Sequence, residues 1–184
     1  MNNPILSVDV DWVTNYNQFI TLISFLTKKF NVCNKIIFID SHHNIIKYLN
    51  PQDKFIVNID EHHDIIQLNN NKDWHMGNWV DYLINKSQLD HYIWVCNTNS
   101  SLIPEEIDPV RNLKTFKINH DLNEINSMDF NKIIICKSFD FISLSQKNMG
   151  LGLIFEVLKE ISLNLFKEKT IIDTDPNPYT IYKK

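Results

Sequence analysis

The sequence carries no excess of positive charge. Its 18 Lys and Arg residues are outnumbered by 22 Asp and Glu, for a net charge of -4. That excludes the basic footprint by which proteins hold nucleic acid. Cysteine is scarce: Cys33, Cys96 and Cys136 lie far apart, with no Cys-x-x-Cys pair. An odd, scattered count excludes a disulfide framework. Cys96 and Cys136 fall inside apolar runs and read as reduced, buried thiols. No apolar run approaches the roughly 20 residues of a membrane helix. The N-terminus has no basic segment followed by an apolar stretch, so no signal peptide is expected. There are no internal repeats and no linker. These absences lead to the expectation of a cytoplasmic protein, without membrane or nucleic-acid partners.

What is present is an ordinary globular composition, 43% hydrophobic and 22% charged, in a chain of 184 residues. That length suits one domain, 1–184, with a full core. Short apolar runs recur: Ile5 to Val8, Lys35 to Ile39, Lys54 to Ile59, His91 to Cys96 and Lys132 to Lys137, with a weaker run at Thr115 to Ile118. Helical stripes lie between them. Phe19, Leu22, Ile23, Leu26 and Phe30 form one, and a short helix is expected over Ile45 to Leu49. Another helix, from about Asn78 to Lys86, would bury Trp79, Tyr82 and Leu83. A turn is expected at Pro104-Glu105-Glu106. The longest helix opens on Ser143 and Gln146 at capping-box spacing. Its stripe reads Leu151, Ile154, Phe155, Leu158, Ile161 and Leu165. The tail from Asp173, with Pro176 and Pro178, reads as irregular. Strands alternating with helices give an α/β fold, a three-layer α/β/α sandwich around a mainly parallel sheet.

The polar clusters fall at the carboxyl ends of those strands, where open α/β sheets build their sites. Asp9 and Asp11 end the first run. His42 and His43 follow the second. Asp60, His62 and Asp64 follow the third, at i, i+2 and i+4, a spacing that keeps them on one side of an extended chain. Each piece alone is commonplace: Asp-x-Asp caps turns, and histidine pairs occur in solvated loops. Three such pieces at three strand ends point to a divalent metal. The donors are carboxylates and imidazoles without thiolate, which favours Mn²⁺, or Fe²⁺, Co²⁺ or Ni²⁺, over structural zinc. Four carboxylates exceed what one ion balances, so two ions about 3.5–4 Å apart are expected. Glu61 and His63 would point away from them.

Ser7-Val8-Asp9-Val10-Asp11 and Asp60-Glu61-His62-His63-Asp64 resemble motifs of arginase-type ureohydrolases. Ser41-His42-His43 is a looser match to their Gly-Asp-His element. The chain looks closest to the small peptide arginases, which act on arginine within ribosomally made precursor peptides. Like them it places paired histidines before the Asp-x-His-x-Asp strand and a Gly77-Asn78-Trp79 segment after it. The likeness spans residues 5 to about 84. Its motif order differs from large arginases, as if the Ser-x-Asp-x-Asp strand had been moved to the N-terminus by circular permutation. On that reading the Lys132 to Lys137 strand lies beside the first, and Asp140 stands near the metals.

The resemblance implies two manganese ions per chain. It puts His42, Asp60, Asp64 and Asp9 on one, and His62, Asp60, Asp9 and Asp11 on the other, with Asp60 and Asp9 bridging. Whether His42 or His43 is the ligand stays open. His75, followed by Met76-Gly77, would shuttle a proton to the leaving amine, and Asp11 would share in catalysis. Asp140 would hold the guanidinium, and Asn78 would contact the substrate. The chain departs from the family in lacking Gly-Gly before His42 and Asp-Pro after Asp11. After Asp64 it reads Ile65-Ile66-Gln67, where enzymes for free arginine carry polar residues. That fits an arginine already held in peptide bonds. The expected reaction converts peptidyl arginine to ornithine and urea. A single-metal deacetylase-like amidohydrolase and a non-catalytic metal- or peptide-binding module are the other readings.

Overall fold

A computed structural model describes residues 3–30, 32–33, 35–66, 77–98, 100, 109–137, 143–163 and 170–172. The expected turn at Pro104 and the tail from Asp173 lie outside them, as do His75 and Asp140.

Six apolar runs become five-residue strands: β1 (Ile5–Asp9), β2 (Lys35–Ile39), β3 (Phe55–Ile59), β4 (His91–Val95), β5 (Thr115–Asn119) and β6 (Lys132–Cys136). A seventh, β7 (Thr170–Ile172), was not foreseen. It is only three residues long, too short for a hydrophobic period to mark. The sheet order is β5-β4-β3-β1-β6-β2-β7, and every pairing is parallel. β6 lies beside β1, in register from Ile5↔Lys132 to Asp9↔Cys136. All five residues of β1 and of β6 are buried, as befits central strands covered on both faces. Edge-ward β5 exposes its middle.

Three helices cover the sheet: α1 (Tyr16–Phe30), α2 (Trp79–Asn85) and α3 (Leu144–Leu163). Side chains alternate across a strand, so the chain builds two cores. Leu6, Val8, Val57, Ile59, Ile133 and Ile135 pack with Leu22, Phe25 and Leu26 of α1 and with Leu153 and Val157 of α3. Ile5, Ile56, Tyr92, Trp94 and Ile134 pack on the other side with Trp79, Val80, Leu83 and Ile84 of α2. The result is the three-layer α/β/α arrangement. No helix among the described residues is long and apolar enough to cross a membrane.

Two local expectations need correction. The short helix is a 3₁₀ segment, His42–Tyr48, which starts earlier than the apolar residues suggest. On α3 the capping box forms as expected: Gln146 N donates to Ser143 Oγ (3.3 Å) and Ser143 N to Gln146 Oε1 (3.1 Å). The buried stripe, however, runs through Gly150, Leu153 and Val157. Leu151 and Phe155 are 53% and 65% exposed. The helix is apolar on more than one side, so the sequence offers two stripes. The packing against α1 chooses the one containing Gly150, and Phe19 closes to 3.4 Å from where a Cβ on Gly152 would stand.

Candidate metal centre

The register of β1 and β3 sets the first part of the site. Ser7 pairs with Asn58 and Val8 with Ile59, so Asp9 and Asp60 come out side by side at the carboxyl edge. Neither strand continues in extended form. Asp9 Oδ1 accepts from Asp11 N (3.2 Å), turning the chain into the 3₁₀ segment Val10–Trp12. Asp60 Oδ1 accepts from His62 N (2.8 Å) and bends the chain in the same way. Asp64 then takes a positive φ of 55°, a conformation short polar side chains tolerate. The i, i+2, i+4 residues therefore converge through side-chain-capped turns, correcting the expectation of an extended strand end. Short acids compete for local backbone N–H groups wherever a strand stops.

His42 reaches the same point from the segment after β2, across the end of β6. Its Nδ1 lies 2.9 Å from Asp60 Oδ2, 3.2 Å from Asp9 Oδ2 and 3.2 Å from Asp64 Oδ2. Its Nε2 meets Ser7 Oγ at 2.7 Å, and its ring lies 5.1 Å from that of Trp79. His43 instead bonds Ser41 Oγ through Nδ1 (2.8 Å). The structure thus brings His42, rather than His43, to the carboxylates. His62 Nδ1 is 3.0 Å from Asp11 Oδ2 and 3.8 Å from Asp60 Oδ1, with its side chain 66% exposed.

Among the described residues, two groups have donor atoms close enough to hold an ion: Asp9, His42 and Asp60, and Asp11, Asp60 and His62. Within each group the donor atoms lie within 4.8 Å of one another. Asp60 belongs to both. Asp64 joins the first through its contact with His42, and its Oδ2 also accepts from the Trp79 indole.

The electrostatics call for positive charge. Burial, then the charges of Asp11 and Asp64, push the Asp60 carboxyl well above the usual range. Burial and Asp9 raise Asp11. Burial pulls His42 down, but Asp60 and its hydrogen-bonding carboxylates hold it well above an ordinary histidine. The Asp11 hydrogen bond lifts His62 to about 9 against its own burial. Four acids crowded into a buried space are costly unless a cation shares it, and hard oxygen donors with imidazole suit a divalent ion. The buried Asp and His groups could hold one.

A surrounding shell fixes these donors. Asn58 Nδ2 donates to Asp60 Oδ2 (3.1 Å) and lies 3.1 Å from Tyr92 Oη. Trp94 Nε1 donates to Asp60 O (3.0 Å). Tyr92 Oη donates to His63 O (3.1 Å), and Ile65 N to His63 Nδ1 (3.0 Å). Sequence reasoning met Ser7 and Trp79 only as members of motifs, without a role, and gave Asn58 and Trp94 no part in the site. A signal was available for two of them: Ser7 and Asn58 are polar residues in otherwise apolar strands, two positions before Asp9 and Asp60.

Glu61 carries its carboxylate to Asn97 and Ser100, where it borders a groove at the carboxyl ends of the strands. Asn78 is buried at the start of α2, where Val80 N donates to Asp64 O (3.1 Å). His75 and Asp140 lie outside the described residues, so the acid–base and guanidinium-holding roles have no structural placement. Comparison with family models, curated proteins and solved structures finds no match for this chain.

Proposed function

We propose that this protein is a dinuclear-manganese ureohydrolase acting on arginine residues within a peptide, most simply a precursor peptide. The observation that carries the reading is Asp60: one buried carboxylate shared by two Asp/His groups on adjoining strand ends. A bridging carboxylate between two ions is the arrangement that two-metal hydrolases use. Manganese is chosen for the oxygen-rich donor set without thiolate.

Asp9, His42, Asp60, Asp64, Asp11 and His62 would hold two divalent ions, which would supply a water of lowered pKa and polarise the group it attacks. The chain's own residues do the rest. Asp9, Asp60 and Asp64 offer their oxygens with His42 on the buried side; Asp11 and His62 offer theirs on the exposed side. The buried half anchors, and the open half, with His62 at the surface, leaves room for a substrate's side chain. Water adds to the guanidinium carbon, the bond to the side-chain nitrogen breaks, and a proton goes to the leaving amine. Peptidyl ornithine and urea result. The apolar Ile65 and Ile66 after Asp64 offer nothing to a free α-carboxylate or α-amine, which is why a peptide is preferred to free arginine.

The test is mass spectrometry of an arginine-containing peptide incubated with the protein and Mn²⁺, with urea assayed in parallel. A loss of roughly 42 Da per arginine, the mass removed when water cleaves a guanidinium at a two-metal site, is expected. An unchanged peptide mass with metal bound overturns it.

One observation favours a second reading. Asp60, His62 and Asp11 alone form an Asp-x-His pair with a distant Asp, the ligand set of single-metal amidohydrolases of deacetylase type. On that reading the chain binds one ion and releases acetate from an acetylated lysine peptide.

A further inference from the structure

A groove of about 400 Å³ opens at the carboxyl ends of β1, β3, β4 and β5, between those ends and the first turns of α1. Trp12, Gln18, Glu61, Asn97, His120 and Asp121 are among its lining residues. Its wall and the metal centre share two segments of chain. Trp12 follows Asp11, Glu61 follows Asp60, and Glu61 N donates to Asp11 Oδ1 at 3.4 Å.

The groove contains no Lys or Arg in its lining, and two carboxylates, Glu61 and Asp121. Glu61 is held in place by neutral donors alone. Ser100 Oγ donates to Oε1 (2.9 Å), and Asn97 Nδ2 donates to Oε2. Asn97 Nδ2 also donates to Trp12 O (3.2 Å), while its Oδ1 accepts from Gln18 Nε2. Gln18 is fixed in turn by Thr14 and Asn15. This chain of amides aims and rigidifies the carboxylate without neutralising it: among the described residues no cation pairs with Glu61. A carboxylate has about four acceptor positions, and half of those on Glu61 are taken. Trp12, on the same wall, is 5% exposed, and its indole Nε1 has no acceptor.

We propose that this groove is a second, cation-selective subsite. It takes the Lys or Arg side chain of a residue flanking the arginine that is hydrolysed, with Glu61 as the anchoring carboxylate and Asp121 as a longer-range contributor. The proposal rests on the ureohydrolase reading for the target residue. The groove adjoins the residues that would hold the guanidinium, Glu61 N bonding Asp11 Oδ1, so the side chain of a flanking residue is the nearest part of the same peptide to enter it. A charge-assisted hydrogen bond to a fixed carboxylate gives both affinity and selectivity for a basic neighbour.

Two measurements, made on metal-loaded protein, test this. The first is fluorescence anisotropy of labelled peptides that lack arginine and carry either Lys or Glu at one position. The second is urea release from arginine peptides flanked by Lys or by Glu. The wild type is expected to prefer the Lys peptide by about tenfold in both, the factor that one such bond supplies. Glu61→Gln is expected to remove the preference with metal content unchanged. Should Glu61→Gln lose metal or fold, Asp121→Asn decides. Asn still caps the 3₁₀ segment that Asp121 opens through Asn123 N, and the preference is expected to fall by about half for loss of one of two carboxylates facing the groove. Equal binding of the Lys and Glu peptides by the wild type, or a preference intact in the deciding variant, overturns the subsite. Absence of urea from every peptide with the Lys preference retained overturns the reaction and leaves the subsite standing.

Discussion

Ser7 Oγ lies 2.7 Å from Nε2 of His42, and this contact leaves Nδ1 as the ring nitrogen that faces Asp9, Asp60 and Asp64. With a metal bound, His42 would be neutral, with the proton on Nε2 toward Ser7 and the Nδ1 lone pair toward the ion. Ser7→Ala removes the partner while shrinking the side chain by one oxygen in a strand packed on both faces. Metal affinity is expected to fall about 10- to 100-fold, the usual cost of losing an outer-shell partner, with the far-ultraviolet circular dichroism unchanged. Isothermal titration with Mn²⁺ measures it; an affinity equal to wild type removes Ser7 from the site.

Asp60 and His62 separate the two halves of the centre. Asp60 belongs to both donor groups, His62 to one. Asp60→Ala is expected to abolish metal binding altogether, while His62→Ala keeps the buried half and retains one ion. Elemental analysis of dialysed protein distinguishes them. Loss of all metal in His62→Ala would show that the halves do not bind independently.

The sheet and the site were legible to different depths. Short apolar runs, bounded by polar residues, located five strands because a parallel sheet buried on both faces leaves no polar alternation to confuse the reading, while half-exposed β5 gave only a weak run. The acids and histidines were legible because three such clusters, each commonplace alone, fell at three strand ends of one sheet. The manner of their convergence was not. Whether Asp60 to Asp64 stays extended or bends depends on Asp60 Oδ1 capturing His62 N, a choice made by local competition that spacing cannot settle. His42 was distinguishable from His43 only in the structure, where the turn after β2 aims His42 across the end of β6 to Asp60 and His43 at Ser41. Trp79 read as core, and it is core. Its second role, donating to Asp64, depends on where α2 docks.

The face that α3 buries was read only in part, Ile154 and Leu158 packing on the core and Leu151 and Phe155 left exposed, and it yields a stability test. Leu153 is fully buried and Leu151 is 53% exposed. Leu153→Ala is expected to cost about 2–5 kcal/mol, as buried Leu truncations do. Leu151→Ala is expected to cost within about 0.5 kcal/mol, as surface changes do. Urea denaturation of the two variants checks this, and equal losses would mean that the exposed side of α3 is covered in the protein as it exists in solution.

Cys96 offers a pH test of its placement. Burial, then the charge of Glu61, push its thiol up from 9.0 to about 11. The folded state thus holds the proton more tightly than the unfolded chain. The stability this contributes is complete below 9.0 and is lost as the pH rises toward 11. At pH 8 the thiolate needed for alkylation is scarce and buried. Iodoacetamide is expected to leave Cys96 unmodified in the native protein at pH 8 and to label it rapidly in guanidinium. Rapid labelling of native Cys96 at that pH would contradict its placement.

The account depends most on Asp60 joining two ions rather than serving one. The direct measurement is the metal stoichiometry of protein saturated with Mn²⁺ and freed of excess, read by elemental analysis beside Asp11→Asn. Two ions per chain in the wild type and one in Asp11→Asn are what the shared carboxylate requires. One ion in the wild type contradicts it and returns the centre to a single-metal site.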